Sequence, residues 1–241
     1  MIVAYDINET RIITQTHHAH IAGFICNHLK SEYRSLFFSE VIAAIFYHET
    51  QETDFNYTRQ LNDLGQPISF DKPDITLEEL AEKTNKILDK LKTRSLLVAA
   101  LVSSHLQFLS PQVFTSGLVY KSNSNLDRKA MRLYKIKKAD YDYLYGIVRF
   151  CDRLSLMICQ NELPDAQRSF DINNALDNKI HQLKDKNGRL IIDPWPFVGT
   201  ELTIHYEYHK LKQRSFKNSE TFYKAVDESR IGLEKITFSK T

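Results

Sequence analysis

Glycine and proline are scarce in this 241-residue chain, at 7 and 6 residues, which argues against a turn-dense all-β sandwich. Cysteine is scarcer still, with only Cys26, Cys151 and Cys159. No CxxC pair occurs, so a zinc ribbon is excluded. Each cysteine sits in an apolar helical context and reads as a buried free thiol of a reducing compartment. There is no HExxH. Neither sign of charge dominates: 32 basic and 30 acidic residues leave a formal net charge of +2, the balance of neither a nucleic-acid binder nor a membrane-surface protein. Long apolar runs are missing. The most apolar stretch, residues 95–109, is interrupted by Ser103, Ser104 and His105 and is too short and too polar to span a bilayer. The N-terminus MIVAYDINETR has neither a basic start nor an apolar run, so no signal peptide and a cytoplasmic location are expected.

What is present suits a globular chain. Hydrophobic residues make up 42% and charged residues 26%, and the length is ample for a real core. Residues 1–14 read as a β-hairpin, with β-branched flanks around Asp6-Ile7-Asn8-Glu9. A helix starts near Thr16, with Gly23 suited to close approach by a neighbouring helix. Ser39 is a candidate N-cap for an apolar helix over residues 40–49. Residues 51–76 form a loop long enough to be a lid or binding loop. Thr76 and Glu79 make a capping box for an amphipathic helix with Leu77, Leu80, Ile87, Leu88 and Leu91 inward. A buried helix follows over residues 95–109, stopped by Pro111. The basic stretch 120–138 is locally helical, residues 139–160 form a long helix, and residues 174–184 suggest one more before the Asn187-Gly188 turn. From Arg189 the period changes to two. In residues 200–212, Leu202, Ile204, Tyr206 and Tyr208 share one face, and His205, Glu207 and His209 the other. The segments ETFYKAV and LEKITFS complete an antiparallel sheet.

Four segments carry side chains of one chemical kind: His18, the adjacent pair His48 and Glu49, His105, and Asp152. Histidine and carboxylate are the ligands of first-row divalent cations such as iron, manganese, zinc and nickel. His48 and Glu49 can face one ion only near a helix end, which is where the pattern puts them. The bland alternative for His105 is a hydrogen-bonded core histidine, and for Asp152 a hydrogen bond to Arg149 or Arg153. His17, His18 and His20 cannot all be ligands, because neighbouring helical positions point apart. His28, His181, His205 and His209 read as surface residues.

The runs ITQTHHAHIAG, AIFYHETQETD, LGQPISF, VAALVSSHLQFL and FCDRLSLMIC resemble the bacterial family known as domain of unknown function 3891. The matching residues are Gln15, His18, Ala19 and Gly23; His48; Gly65, Pro67 and Phe70; Ser103 and His105; and Asp152, Ser155 and Leu156. The resemblance runs through most of residues 1–160. The order of these residues is also similar to the HD superfamily of metal-dependent phosphohydrolases. That likeness implies His18, His48, Glu49 and Asp152 as metal ligands, with His105 as an added ligand or a substrate-phosphate contact. Glu49 stands where the pattern has Asp, and Thr50-Gln51 replace Gly-Trp.

The expected fold is therefore a mainly α, HD-like helical bundle with an N-terminal β-hairpin and a C-terminal antiparallel sheet, α+β overall. One domain should span residues 1–241, with a helical core over 1–165 and a β-rich appendage over 187–241. The expected function is metal-dependent hydrolysis of phosphate esters or nucleotides, with a divalent transition metal and with His105 and Glu49 in catalytic roles. The expected ligand is a small phosphorylated molecule, and the sheet leaves pairing with a second subunit open. The competing readings are a non-catalytic helical scaffold for a ligand or protein partner, and nucleic-acid binding through residues 121–138 and the tail.

Overall fold

The computed structural model of the chain describes residues 1–6, 9–49, 60–70 and 75–241. The first two strands, β1 (Ile2–Tyr5) and β2 (Thr10–Ile13), form the expected hairpin, with Ile2 opposite Ile13 and Tyr5 opposite Thr10. Helices α1 (Gln15–Asn27), α2 (Phe38–Tyr47), α3 (Leu77–Lys92), α4 (Leu96–Leu109), α5 (Pro111–Thr115), α6 (Leu126–Tyr134) and α7 (Lys138–Cys159) follow, then β3 (Ser169–Asn173), β4 (His181–Lys186), β5 (Arg189–Asp193), β6 (Glu201–Leu211), α8 (Ser219–Asp227) and β7 (Arg230–Ser239). No helix among the described residues is long and apolar enough to cross a membrane.

The strands join one seven-stranded sheet in the order β1-β2-β6-β7-β5-β4-β3. Its neighbours pair antiparallel except β5 and β7, which run parallel, with Leu190 opposite Phe238. This overturns the expected HD-like, mainly α bundle: the fold is α+β with a large mixed sheet. The N-terminal hairpin is not an ornament of the helices. It pairs through β2 with β6, Ile12 opposite His209, and so extends the C-terminal sheet. Nor is that sheet an appendage. Leu202, Ile204, Tyr206, Tyr208, Ile236 and Phe238 share one buried cluster with Ile25, Leu101, Ile147 and Leu154 of the helices. A second cluster joins Met1, Ile12 and Leu211 to Phe222 and Val226 of α8. Ile12 and Ile13 fall in different clusters because successive strand residues face opposite sides.

Several local expectations need correction. The segment ETFYKAV is helical, not a strand. Asn218 and Thr221 cap it reciprocally, and Phe222 and Val226, one turn apart, bury together. Residues 174–184 are not a helix. The Asn173 side chain accepts from the Ala175 N–H at 3.0 Å, Asn178 takes a left-handed φ of 62°, and the chain turns into β4. Asn side chains that bond the nearby backbone favour such turns over helix. Ser39 does not cap α2, which begins at Phe38 with no side-chain cap. Pro111 does more than stop α4, since it opens α5 at the first helical position. His181 is fully buried rather than a surface residue. Its ring lies 5.2 Å from that of Phe150, and its nitrogens face the Pro194 carbonyl at 2.8 Å and Asp177 at 3.1 Å.

Other expectations are met. Thr76 and Glu79 form their capping box, all three cysteines are free and buried, and Asn187 and Gly188 turn with positive φ. Most of the expected loop over 51–76 lies outside the described residues. In the part that is described, Leu61 bridges Pro67.

Candidate metal centre

Three helices and one helix end bring the candidate residues together. Thr14 starts α1 by accepting a hydrogen bond from the His17 N–H at 3.0 Å, which sets Gln15 and His18 on one face, three residues apart. His48 is the C-cap of α2, so His48 and Glu49 turn off the helix end and both face inward. His105 comes from α4, and Asp152 and Ser155 from α7. His18, His48, Glu49 and Asp152 are all buried, and one ligand atom from each lies within 4.8 Å of the others.

The hydrogen bonds around the two histidines decide what their inner nitrogens can be. Ser155 has one O–H, which donates to the Asp152 carbonyl at 2.8 Å. Its oxygen must then accept from His18 Nδ1, 2.9 Å away. His48 Nδ1 faces the Ile45 carbonyl, which can only accept. Both Nδ1 atoms therefore carry hydrogens, and in the neutral imidazoles both Nε2 atoms are lone pairs. These lone pairs point at other acceptors. His18 Nε2 lies 3.1 Å from Asp152 Oδ1, and His48 Nε2 lies 3.2 Å from Glu49 Oε1 and 3.3 Å from Asp152 Oδ1. Acceptors this close repel unless a proton or a metal ion sits among them, and without metal the carboxylates keep a proton on His48. His48 Nε2 has no well-aligned hydrogen-bond partner among the described residues.

A divalent cation fits that requirement. Nitrogen and oxygen ligands stand about 2.0–2.2 Å from a first-row ion, and ligand atoms spaced by 3.1–3.3 Å match the edges of such a coordination shell. A tied Nδ1–H on each imidazole is the usual outer support of a histidine ligand. Glu49 has similar support, because Gln15 Nε2 donates to its Oε2 at 3.2 Å. The four residues can hold a metal ion.

His105 stands beside the centre rather than in it. Its Nε2 is 3.9 Å from Asp152 Oδ2, and its ring meets that of His48 edge-on at 4.9 Å. It is only 1% exposed, and neither ring nitrogen has a hydrogen-bond partner among the described residues. It is not the hydrogen-bonded core histidine of the bland reading. Asp152 does not bond Arg149 or Arg153 either: Arg153 pairs with Glu162 at 3.2 Å, and Arg149 lies over the Phe108 ring. His17 accepts from the Glu207 N–H at 3.0 Å and His20 packs on Phe46, so of the three N-terminal histidines only His18 enters the centre.

A family model described as Protein of unknown function (DUF3891) matches residues 1–213. The chain belongs to this family. No curated protein and no solved structure matches it. The DUF3891 match includes every residue of the centre and ends just past β6, leaving α8 and β7 beyond it. Gln15 and Ser155, which mark the resemblance to DUF3891 in the sequence, are the outer supports of Glu49 and His18. Their spacing is the signal for this role: Gln15 lies three residues before His18, and Ser155 three after Asp152, each on the inward face of its helix.

The central groups titrate in opposite directions. Burial alone would drive the proton from His48, but the Glu49 and Asp152 carboxylates outweigh it and raise the imidazole pKa to about 10. At His105 burial prevails over the pull of Asp152 and depresses the pKa to about 4. Burial also opposes the charge on Asp152, yet the imidazoles of His105, His18 and His48 hold its carboxyl well below the usual range. An unfolded histidine titrates near 6.5. His48, raised, contributes stability below about pH 6.5 and loses it as pH climbs to about 10. His105, depressed, contributes above about pH 6.5 and loses it as pH falls to about 4.

For these two groups the metal-free protein is most stable near pH ~6.5. A metal ion must displace the His48 proton, so its stabilisation grows with pH. Calorimetry of chelator-treated protein with and without added manganese should show a melting increment that rises between about pH 6 and pH 8. An increment flat across that range would contradict His48 as a ligand.

Proposed function

We propose that the chain is a metal-dependent hydrolase of phosphate esters or nucleotides, with the cation on His18, His48, Glu49 and Asp152. The observation that carries this reading is the convergence of two imidazole Nε2 atoms, each with its Nδ1–H tied back, on two buried carboxylates, with His105, unpartnered among the described residues, beside them. Iron, manganese, zinc and nickel all suit two imidazoles and two carboxylates. Such an ion supplies Lewis acidity and lowers the pKa of a coordinated water.

The protein's own groups do the rest. Ser155 and the Ile45 carbonyl hold the two imidazoles in one tautomer and one orientation. Gln15 fixes one oxygen of Glu49 and leaves Oε1 toward His48 as the oxygen that would meet the cation. His105 is neutral near pH 7 and offers one N–H to charge developing on a substrate oxygen. All of these groups lie out of water, where such a donor is worth more than at a surface.

The test is turnover of p-nitrophenyl phosphate, its bis-ester and nucleoside monophosphates by metal-loaded protein. Turnover that stops on chelation and returns with metal is expected, with a loss of at least about a hundredfold in His105→Ala. Metal-loaded protein inert to all of these substrates would overturn the hydrolase reading. It would favour the second reading, a metal-bearing scaffold, for which Glu49 in the place of the family's aspartate already speaks.

A further inference from the structure

The seam between α4 and α7 continues outward from the centre and carries polar atoms that the four-residue cluster does not use. On α7, Tyr145, Arg149 and Asp152 fall at intervals of four and three, so they share one helix face. On α4, His105 and Phe108 do the same. The Tyr145 hydroxyl is buried and has no hydrogen-bond partner among the described residues. Its ring lies 6.3 Å from the His105 ring, whose two nitrogens are also unpartnered among the described residues. The Arg149 guanidinium carbon sits 4.4 Å above the Phe108 ring, and Arg149 makes no ion pair with any described residue. Phe108 is 54% exposed whereas His105 is 1% exposed, so the seam runs from solvent at Arg149 inward to Asp152.

We propose that Arg149, Tyr145 and His105 form a receptor for a tetrahedral oxyanion, the phosphoryl group of a phosphomonoester. This deepens the hydrolase reading and rests on it for the reaction, though the receptor is defined by its own residues. The argument is one of unspent donors. A buried hydroxyl without a partner is costly, and a guanidinium with no carboxylate keeps its forked donors free for an anion. Tyr145 offers one O–H, His105 an N–H, and Arg149 a pair of N–H groups. That set equals a carboxylate's four in-plane lone pairs in number, but it comes from two helices, α4 and α7, and not from one plane. It suits the three non-bridging oxygens of a phosphomonoester, approached from separate sides. A phosphodiester presents only two such oxygens. The simpler account of Arg149 is a surface cation stacked on an aromatic ring, which leaves the Tyr145 hydroxyl and the His105 nitrogens without purpose.

Calorimetric titration with inorganic phosphate separates the two accounts. It should be run on metal-loaded and chelator-treated protein, in wild type, Arg149→Ala and Tyr145→Phe, with metal content read by mass spectrometry. The expected result is phosphate binding weakened at least about tenfold by Arg149→Ala and by about threefold or more by Tyr145→Phe. Metal content should stay the same in all three, and acetate should not compete. Tyr145→Phe removes one oxygen and nothing else, so its result stands even if Arg149→Ala disturbs the helix. Equal phosphate affinity in wild type and both variants, no phosphate binding by wild type in either form, or equal competition by acetate would overturn the receptor. Wild type that takes up no metal yet binds phosphate in an Arg149-dependent way would overturn the metal reading and leave the receptor standing.

Discussion

Asp152→Asn should weaken metal binding by at least about a hundredfold while leaving the protein folded. Asp152 is the hub of the centre. Its Oδ1 lies 3.1 Å from His18 Nε2 and 3.3 Å from His48 Nε2, and its Oδ2 faces His105 at 3.9 Å. Asparagine fills the same volume and keeps one carbonyl oxygen, so helix packing around α7 is preserved. It removes one of two negative charges and places an amide N–H₂ where an anionic ligand stood. Loss of a partner that merely supports a ligand costs about ten- to hundredfold in affinity, and loss of a ligand with its charge should cost more. Ser155→Ala, which frees His18 Nδ1, should fall within that lower range. Isothermal titration with manganese, beside circular dichroism, checks both variants. Wild-type affinity in Asp152→Asn would mean that metal binds elsewhere.

Gly146→Ala should be among the most destabilising single changes outside the centre. A Cβ on Gly146 would stand 2.0 Å from the Ala175 carbonyl oxygen and 3.1 Å from its carbon. The obstacle is backbone, so either α7 or the turn after β3 must move. That turn is already tied to α7, since the Asn173 side chain donates to the Arg149 carbonyl at 3.1 Å. Overpacking of this kind costs about 1–3 kcal/mol, occasionally more. Alanine recovers only about 1 kcal/mol of helix propensity. Because the clash is with backbone, the upper end of the overpacking range applies, and a net loss of about 2 kcal/mol should lower the melting temperature by roughly 4–8 °C in a chain of this size. Gly23→Ala is the natural comparison. Its Cβ would meet the tip of the Phe46 ring at 2.6 Å, a half-exposed side chain that can swing aside, so its effect should be smaller. An unchanged melting temperature in Gly146→Ala would contradict the close approach of α7 and that turn.

The centre was more legible in the sequence than the fold around it. His18, His48, Glu49 and Asp152 stood out because each is a metal-type ligand set in an apolar helical context, and such placement is costly without a partner. Their outer supports and Tyr145 carried no such contrast, because Gln15, Ser155 and Tyr145 are ordinary on a helix until their neighbours are known. The fold is less legible for a related reason. Strand pairing is a long-range choice, and nothing local in residues 2–5 and 10–13 shows that they extend a sheet built from residues 169–239. The outer strands β3 and β4 are largely polar and only partly buried, so they lack the apolar alternation that revealed β6. In α8, aromatic and β-branched residues favoured strand, but the Asn218 cap and the pairing of Phe222 with Val226 decided for helix.

The most direct measurement is the metal content of untagged wild-type protein by mass spectrometry, with Asp152→Asn purified alongside. The centre predicts about one iron, manganese, zinc or nickel ion per wild-type chain and a large loss in the variant. Wild-type protein that carries no metal, and takes up none when each of the four is supplied near pH 8, would contradict it.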